Sequence, residues 1–292
     1  MILLTGATGL AGSFVMEEIV RTQRPVRILV RNRRKVAHLE QVPTAEIVEG
    51  DMSKRESLRA ALEGVTRVLM ISGPDTQMVE KQCTFIDACK EAGVRHVIKF
   101  SGLDARADSA FRFVRMHKQI EAHLENSGLA WTHFRPSGFM QVYLREIRDI
   151  VGAGELRLPL GETRLNPVDL VDVGKVGFCL LRDGGHEGAK LDMTGPEALT
   201  ISEIADRLSQ ASGRPIRYVS VAPAERRRAL LARGISSEFA DALDEQLEER
   251  LKGGAESRVD LSTHELFGIR PSTFLQFAKR SSAILSGKPA AA

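Results

Sequence analysis

Hydrophobic residues fall in short runs along the first half of the chain, and segments of helical period separate them. Met1 to Thr5, Val26 to Val30, Ala45 to Val48, Arg67 to Ile71 and Val94 to Ser101 have strand length. Their near-continuous apolar character is that of strands buried on both faces. Between them, Phe14, Val15, Ile19 and Val20 follow a helical spacing, as do Ser57 to Leu62 and the longer stretch Val79 to Ala92. Trp131 to Pro136 reads as a further strand ended by proline, and Glu187 to Met193 as a later one. Such alternation predicts an α/β fold: a doubly wound parallel sheet with helices on both faces and right-handed crossovers. Beyond about residue 140, Pro159, Gly161, Pro167, Pro196 and Pro215 space out shorter elements. No internal repeat is present.

The junction between the first strand and the first helix reads Gly6-Ala7-Thr8-Gly9-Leu10-Ala11-Gly12. Glycines at this spacing often mark a flexible turn, so the flanking elements decide their meaning. After a buried strand and before an amphipathic helix, Gly6 makes the tight turn, Gly9 lets backbone approach a pyrophosphate, and Gly12 allows close helix packing. The helix N-terminus then faces the phosphates, with Thr8 and Leu10 on the same contact surface. We therefore expect a Rossmann-type dinucleotide-binding domain over residues 1–155, with some later strands and helices returning to it. A smaller α/β substrate region is expected over 156–285, followed by a frayed tail at 286–292.

The residue ending the second strand meets the adenosine ribose, and an acid there would accept bonds from the 2′-hydroxyl. This chain has none; it reads Leu29-Val30-Arg31-Asn32-Arg33-Arg34-Lys35. Guanidinium forks suit a 2′-phosphate, so NADP(H) is the preferred cofactor, with Arg31 at the strand end and Arg34 and Lys35 assisting. For Arg33 and Arg34 a solvated basic turn is the competing reading. Asp51, followed by Met52, ends the third strand, where its carboxylate bonds either the adenine amino group or the start of the next helix. Ser72 and Gly73 end the fourth strand and Ser101 the fifth, positions that pass close to a bound dinucleotide.

Composition narrows the picture. Of 292 residues, 43% are hydrophobic and 27% charged, and no run of about eighteen apolar residues occurs, which argues against a membrane span. Arginine and lysine number 41 against 38 acids, a net +3 with no bulk signature of nucleic-acid binding. Cys83, Cys89 and Cys179 have neither metal-ligand nor disulfide spacing, so no metal site is expected. Because the sequence enters its first strand at once, with no leader pattern, we expect a cytoplasmic protein.

The chemistry is less regular. Short-chain dehydrogenases usually pair a tyrosine acid with a lysine four residues on, but Tyr143 and Tyr218 are followed at that distance by Ile147 and Ala222. The helix after the fifth strand instead carries His117 and Glu121, four apart and so on one face, where the carboxylate either orients the imidazole or forms a plain surface pair. Phe139, Met140 and Tyr143 follow Arg135-Pro136-Ser137-Gly138 and offer flat apolar surface to a substrate, with core packing as the alternative for Phe139 and Met140. The charged stretch 222–253 reads either as one or two solvated helices or as a helical lid over the site.

The succession GATGLAG, LVRN, EGDMSK, VIKFSG, H-x-x-x-E, SGLAWTHFRPSGFM, NPVDLVDVG and DMTGPEALTISEIA resembles the NmrA-like branch of the atypical short-chain dehydrogenases over most of residues 1–280. The resemblance implies NADP preference, no flavin, and a monomer or homodimer. It also implies an activity among NADPH-dependent quinone, azo-dye and triphenylmethane-dye reductases, or a cofactor-sensing regulator that catalyses nothing. In the relatives similar to isoflavone and lignan reductases, a catalytic lysine lies where this chain has His117. Asp169 of the Asn166-Pro167-Val168-Asp169 stretch is expected to cap a helix. His117 favours a reductase of a conjugated, electron-poor small molecule over the regulator, since a sensor needs no ionisable group beside the nicotinamide. The absent tyrosine–lysine pair counts against nucleotide-sugar chemistry.

Overall fold

The computed structural model describes residues 1–287. The chain runs through β1 (Ile2–Thr5), α1 (Leu10–Thr22), β2 (Val26–Val30), β3 (Ala45–Glu49), α2 (Arg55–Leu62), β4 (Arg67–Met70), α3 (Met78–Glu91), β5 (His96–Phe100), α4 (Arg112–Asn126) and β6 (Ala130–Pro136). Next come α5 (Ile147–Ala153), β7 (Glu155–Leu158), α6 (Leu170–Asp183), β8 (Ala189–Met193), α7 (Ile201–Ser212) and β9 (Arg217–Ser220). Helices close the chain: α8 (Pro223–Ala232), α9 (Ser237–Leu251), α10 (Ser262–Leu266), α11 (Phe274–Arg280) and α12 (Ser282–Leu285). No helix among the described residues is long and apolar enough to cross a membrane.

Seven strands form one sheet in the order β3-β2-β1-β4-β5-β6-β8, and every neighbouring pair is parallel. Successive side chains of a strand point to opposite faces, so Leu3 and Leu4, or Val97 and Ile98, feed two separate cores. On one face Val15, Ile19, Val173 and Val176 of α1 and α6 cover Leu4, Ile28, Leu69 and Phe134. On the other, Leu58, Phe85, Ile86, Ile120 and Leu124 of α2, α3 and α4 cover Leu3, Val68, Met70 and Val97. The order reverses at β1 and β4, which opens a crevice at their C-terminal ends, where ligands of such sheets bind.

The later chain contributes to two places. α6 and β8 return to the main sheet, β8 as its edge strand beside β6. A third core gathers Met140, Ile150, Leu156, Ile204, Leu208 and Phe274 from the remaining elements. Its small parallel sheet, β7 with β9, is not evident in the sequence. Glu-Leu-Arg-Leu and Arg-Tyr-Val-Ser are too polar to read as strands; of them only Leu156 is fully buried. Tyr218 closes this sheet, its hydroxyl donating to the Leu158 carbonyl (2.8 Å) and accepting from the Gly161 amide (2.8 Å). In the expected tail, the Ser286 hydroxyl donates to the Ser282 carbonyl, while 288–292 lie outside the described residues.

Candidate functional site

The C-terminal ends of β1 and β4 are tied by Thr5, whose hydroxyl donates to the Ile71 carbonyl (2.7 Å) and accepts from the Ile71 amide (2.8 Å). The chain then turns sharply at Gly6, which has φ +65°. A Cβ at Gly6 would stand 2.6 Å from the Ile71 carbonyl oxygen, so only glycine fits. The Gly9 amide donates to the Gly6 carbonyl (2.9 Å), closing the loop, and a Cβ on Gly12 would overlap that same carbonyl. Gly9 is the N-cap of α1 and no side chain caps the helix, which leaves its first amides facing the loop. Thr8 and Leu10 are exposed beside them, Leu10 by 41%. An uncapped helix start with an exposed leucine is suited to an anionic group carrying an apolar ring system.

At the end of β2, Arg31 and Arg34 are exposed, and among the described residues neither guanidinium takes part in a hydrogen bond or ion pair. Arg33 is engaged, its Nε donating to Glu40 at 2.6 Å. The side chain of Lys35 lies outside the described residues. Asp51 accepts from the Ser53 amide (2.9 Å) and hydroxyl (2.8 Å), bonds that hold its carboxyl below the usual range, with Arg31 a smaller contributor. One of its oxygens thus closes the turn before α2, whereas the helix N-cap is Lys54 with no side-chain cap, so the capping role the sequence offered is not taken up. Met52 packs half-buried against the core under α2 and α3. The Ser72 hydroxyl accepts from Gln82 (2.8 Å), and the Cα of Gly73 faces open space.

β5, α4 and β6 bring together a buried charged cluster. Lys99, in the middle of an apolar strand, has no exposed surface. Its Nζ lies 2.8 Å from Nδ1 of His117, 3.2 Å from Oγ of Ser101 and 3.4 Å from the Phe100 carbonyl. Burial pushes the Lys99 ammonium down to about 7, against the upward pull of Glu121. Burial, then Lys99 and Arg135, hold His117 well below its ordinary value. The imidazole is therefore neutral at physiological pH.

Glu121 does not bond His117, although both project from one side of α4. Its Oε1 accepts from the Ser101 hydroxyl (2.7 Å) and from Nε of Arg135 (2.8 Å), and its Oε2 from Nη2 of Arg135 (2.5 Å). The expected His117–Glu121 pair is replaced because the guanidinium of β6 offers a two-point partner and Lys99 occupies the imidazole's inner nitrogen. Burial raises the Glu121 carboxyl, yet the bonds from Arg135 and Ser101 and the nearby His133 leave it below its ordinary value. Glu121, Glu125 and His133 converge, but Arg135 and Lys190 already pair with the two carboxylates.

The His117 ring lies against Gly102, just past the end of β5; a Cβ there would stand 3.0 Å from Cδ2 and 3.5 Å from Nε2. Nε2 itself bonds to no described residue and is not among the fully enclosed unpartnered atoms, so it keeps some exposed surface on the Gly102 side of the ring, away from Lys99. Neither Lys99 nor Arg135 was singled out from the sequence, although a lysine inside the apolar run Val97-Ile98-Lys99-Phe100 is a legible anomaly.

Of the expected substrate-side residues, Phe139 is half-buried with its ring 6.3 Å from that of Phe100. Met140 and Tyr143, 1% and 6% exposed, belong to the third core instead, Tyr143 edge-on to Phe274. The 3-10 turn at Met140–Glu146 rotates them inward, since burying two large apolar side chains outweighs displaying them. The stretch 222–253 forms α8 and α9, and α9 is docked rather than solvated. Arg112 grips Glu245 (2.7 and 2.9 Å), Arg106 pairs with Glu249, and Phe239 packs on Phe113 with centroids 6.0 Å apart. Between Pro74–Thr76, the start of α4 and the α8–α9 turn lies an open cleft of about 340 Å³.

Known proteins share this architecture. The NmrA-like family model matches residues 1–278. An NAD(P)H azoreductase of Xenophilus azovorans is 32% identical over 283 residues, covering 97% of this chain and 98% of its own. A (4-alkanoyl-5-oxo-2,5-dihydrofuran-3-yl)methyl phosphate reductase of Streptomyces griseus is 34% identical over 273 residues, 93% of this chain and 94% of its own. The NADPH-dependent quinone oxidoreductase of Escherichia coli, solved with NADPH, superposes with a TM-score of 0.86 at 25% identity, over 96% of this chain and 99% of that one. With its glycine loop, parallel sheet and nearly full-length match, the chain belongs to the NmrA-like family.

Proposed function

We propose that the chain is an NADPH-dependent oxidoreductase that transfers hydride to a conjugated, electron-poor small molecule, such as a quinone, an azo dye or a triphenylmethane dye. The observation that carries the reading is the placement of His117. Its outward Nε2 lies at the C-terminal edge of β5, the same sheet edge at which the glycine loop and the uncapped start of α1 stand. The cofactor, when bound, supplies the hydride.

The chain's own residues do the rest. The first amides of α1 hold the pyrophosphate, and Arg31 and Arg34 meet the 2′-phosphate that distinguishes NADPH from NADH. An acceptor conjugated to oxygen or nitrogen accumulates negative charge on that atom as hydride arrives. The Nε2–H of a neutral His117 is a donor aimed at such charge, which is stabilisation of the kind fixed donors provide best. No tyrosine acid is required, in keeping with the burial of Tyr143 and the structural role of Tyr218. Support also comes from the relatives' substrates as their names give them: an azo compound, a quinone, and a dihydrofuranone whose ring double bond is conjugated with two carbonyl groups on one of its carbons.

The test is loss of NADPH absorbance with the purified protein against quinones, azo dyes, triphenylmethane dyes and an acyl-dihydrofuranone, beside a direct NADPH titration. Turnover with one class supports the reading and names the substrate. Tight NADPH binding with no oxidation across the whole panel would overturn it in favour of a cofactor-sensing regulator.

A further inference from the structure

A lysine ammonium enclosed in a strand is costly unless its donors are satisfied. Lys99 meets that condition with three acceptors for its three N–H bonds: Nδ1 of His117, Oγ of Ser101 and the Phe100 carbonyl. The directions of the surrounding bonds are fixed in turn. Ser101 donates to Glu121, so its oxygen is free to accept from Lys99. Arg135 donates to Glu121 and offers nothing but donors. Hence Nδ1 of His117 is an acceptor, and its single ring proton sits on the outward Nε2.

This arrangement raises a difficulty for His117 as a proton donor. An imidazolium is disfavoured by burial beside Lys99 and Arg135. A neutral imidazole that loses its only N–H would become an anion, which no group in the cluster stabilises better than a proton at Nδ1 would. We propose that Lys99 is the positioning residue behind His117, fixing its tautomer and passing it a proton through Nδ1 as Nε2 protonates the substrate. The inference rests on the reductase reading of the same site. As the substrate's oxygen or nitrogen forms its bond to hydrogen, the Nε2–H bond breaks; in the same step the Nζ–H bond of Lys99 breaks and an Nδ1–H bond forms. The imidazole stays neutral throughout, Lys99 is left as an amine, and the only electron pair gained by the substrate is the hydride. After product leaves, Nε2 takes a proton from solvent and Nδ1 returns its own to Lys99.

The groups around the relay are few. Glu121 from α4 favours the Lys99 ammonium and Arg135 from β6 disfavours it; His133 from β6 is held neutral by burial, and Cys83 from α3 faces Lys99 with a thiol that burial keeps protonated. Glu121 is bound to Arg135 and stays ionised through the neutral range. The titration that limits the relay is thus that of Lys99, whose ammonium is lost as pH rises through about 7.

Two measurements on wild type and Lys99→Met test the proposal. The first reads the ring directly: nitrogen NMR of protein labelled at histidine, followed with pH. Wild type should show His117 as the neutral Nε2–H tautomer at mildly acidic pH and up to about pH 7, the range in which Lys99 is an ammonium. Lys99→Met should give a mixture of tautomers that titrates closer to an ordinary histidine. A wild-type Nδ1–H tautomer below about pH 7, or a spectrum unchanged there by the substitution, overturns the proposal whether or not the protein is a reductase. The second is kinetic, with the substrate class the panel identifies. Lys99→Met should lower kcat by roughly a hundredfold, within the range of general acid catalysis, with KM and NADPH affinity nearly unchanged. The wild-type fall in kcat above about pH 7 should also disappear. Equal kcat values with the same pH profile refute the relay even where the tautomer is as stated. Lys99→Met removes a buried charge and should fold; if its melting shows otherwise, Lys99→Gln takes its place in both measurements.

Discussion

Glu121 is the keystone of the charged cluster, and Glu121→Gln isolates its charge with little change of shape. In the native protein the carboxylate is fully buried and receives three donors, two from Arg135 and one from Ser101. Glutamine presents one acceptor oxygen and one amide donor, so one arm of the guanidinium meets a donor and both Arg135 and Lys99 lose their buried counter-charge. Removing one partner of a buried ion pair costs about 3–5 kcal/mol. Asp192 stands 3.8 Å from Nη1 of Arg135 and is partly exposed, a residual counter-ion that places the loss towards about 3 kcal/mol. With about 2–4 °C per kcal/mol for a domain of this size, the melting temperature should fall by roughly 6–12 °C. Circular dichroism melts with matched urea titrations measure it. Glu121→Gln/Arg135→Met removes both charges and should recover most of the loss, because an apolar replacement of the pair is close to neutral. A shift of less than about 2 °C in the single variant, or a double variant as unstable as the sum of the singles, would refute the buried-pair account.

Other changes probe the site at separate points. Arg31→Ala should weaken NADPH binding by roughly 10- to 100-fold, the worth of one charge-assisted contact, and leave NADH binding nearly unchanged in a fluorescence titration; equal losses would remove Arg31 from the phosphate site. Gly102→Ala places a methyl 3.0 Å from the His117 ring, which Lys99 blocks from retreating; kcat should drop about tenfold or more at unchanged NADPH affinity, and unaltered turnover would detach the ring position from catalysis. Lys99 also leaves a mark on stability. Its folded value of about 7 lies below the ordinary 10.5, so between these pH values the unfolded chain binds more protons and stability rises with pH. The gain over Lys99→Met should approach about 1.4 kcal/mol per pH unit in that window and vanish below about pH 7, as read by denaturant midpoints; a difference flat from pH 7 to 10 would contradict the buried ammonium.

What could be read from the sequence is what repeats or what is sterically forced. The parallel sheet follows from apolar runs buried on both faces, and the glycine loop from positions where the Ile71 and Gly6 carbonyls leave no room for a Cβ. β7 and β9 escaped because a two-stranded sheet at the rim needs only one buried residue, Leu156, per strand pair. The docking of α9 escaped for a related reason. Its helical charge pattern is that of a solvated face, and only the fold brings Glu245 and Glu249 to Arg112 and Arg106, more than a hundred positions earlier in the chain. Spacing placed His117 and Glu121 on one helical face, but shared facing is not contact. Each took the stronger partner that a neighbouring strand supplied: a fork from Arg135 for the carboxylate, an ammonium from Lys99 for the imidazole. The consequence is chemical, since a histidine backed by a carboxylate is pushed towards imidazolium and one backed by a lysine is held neutral. The partner that decides the acid's character therefore comes from β5, eighteen residues before His117, where the only sign in the sequence is a charged residue in a strand that has no solvent to give it.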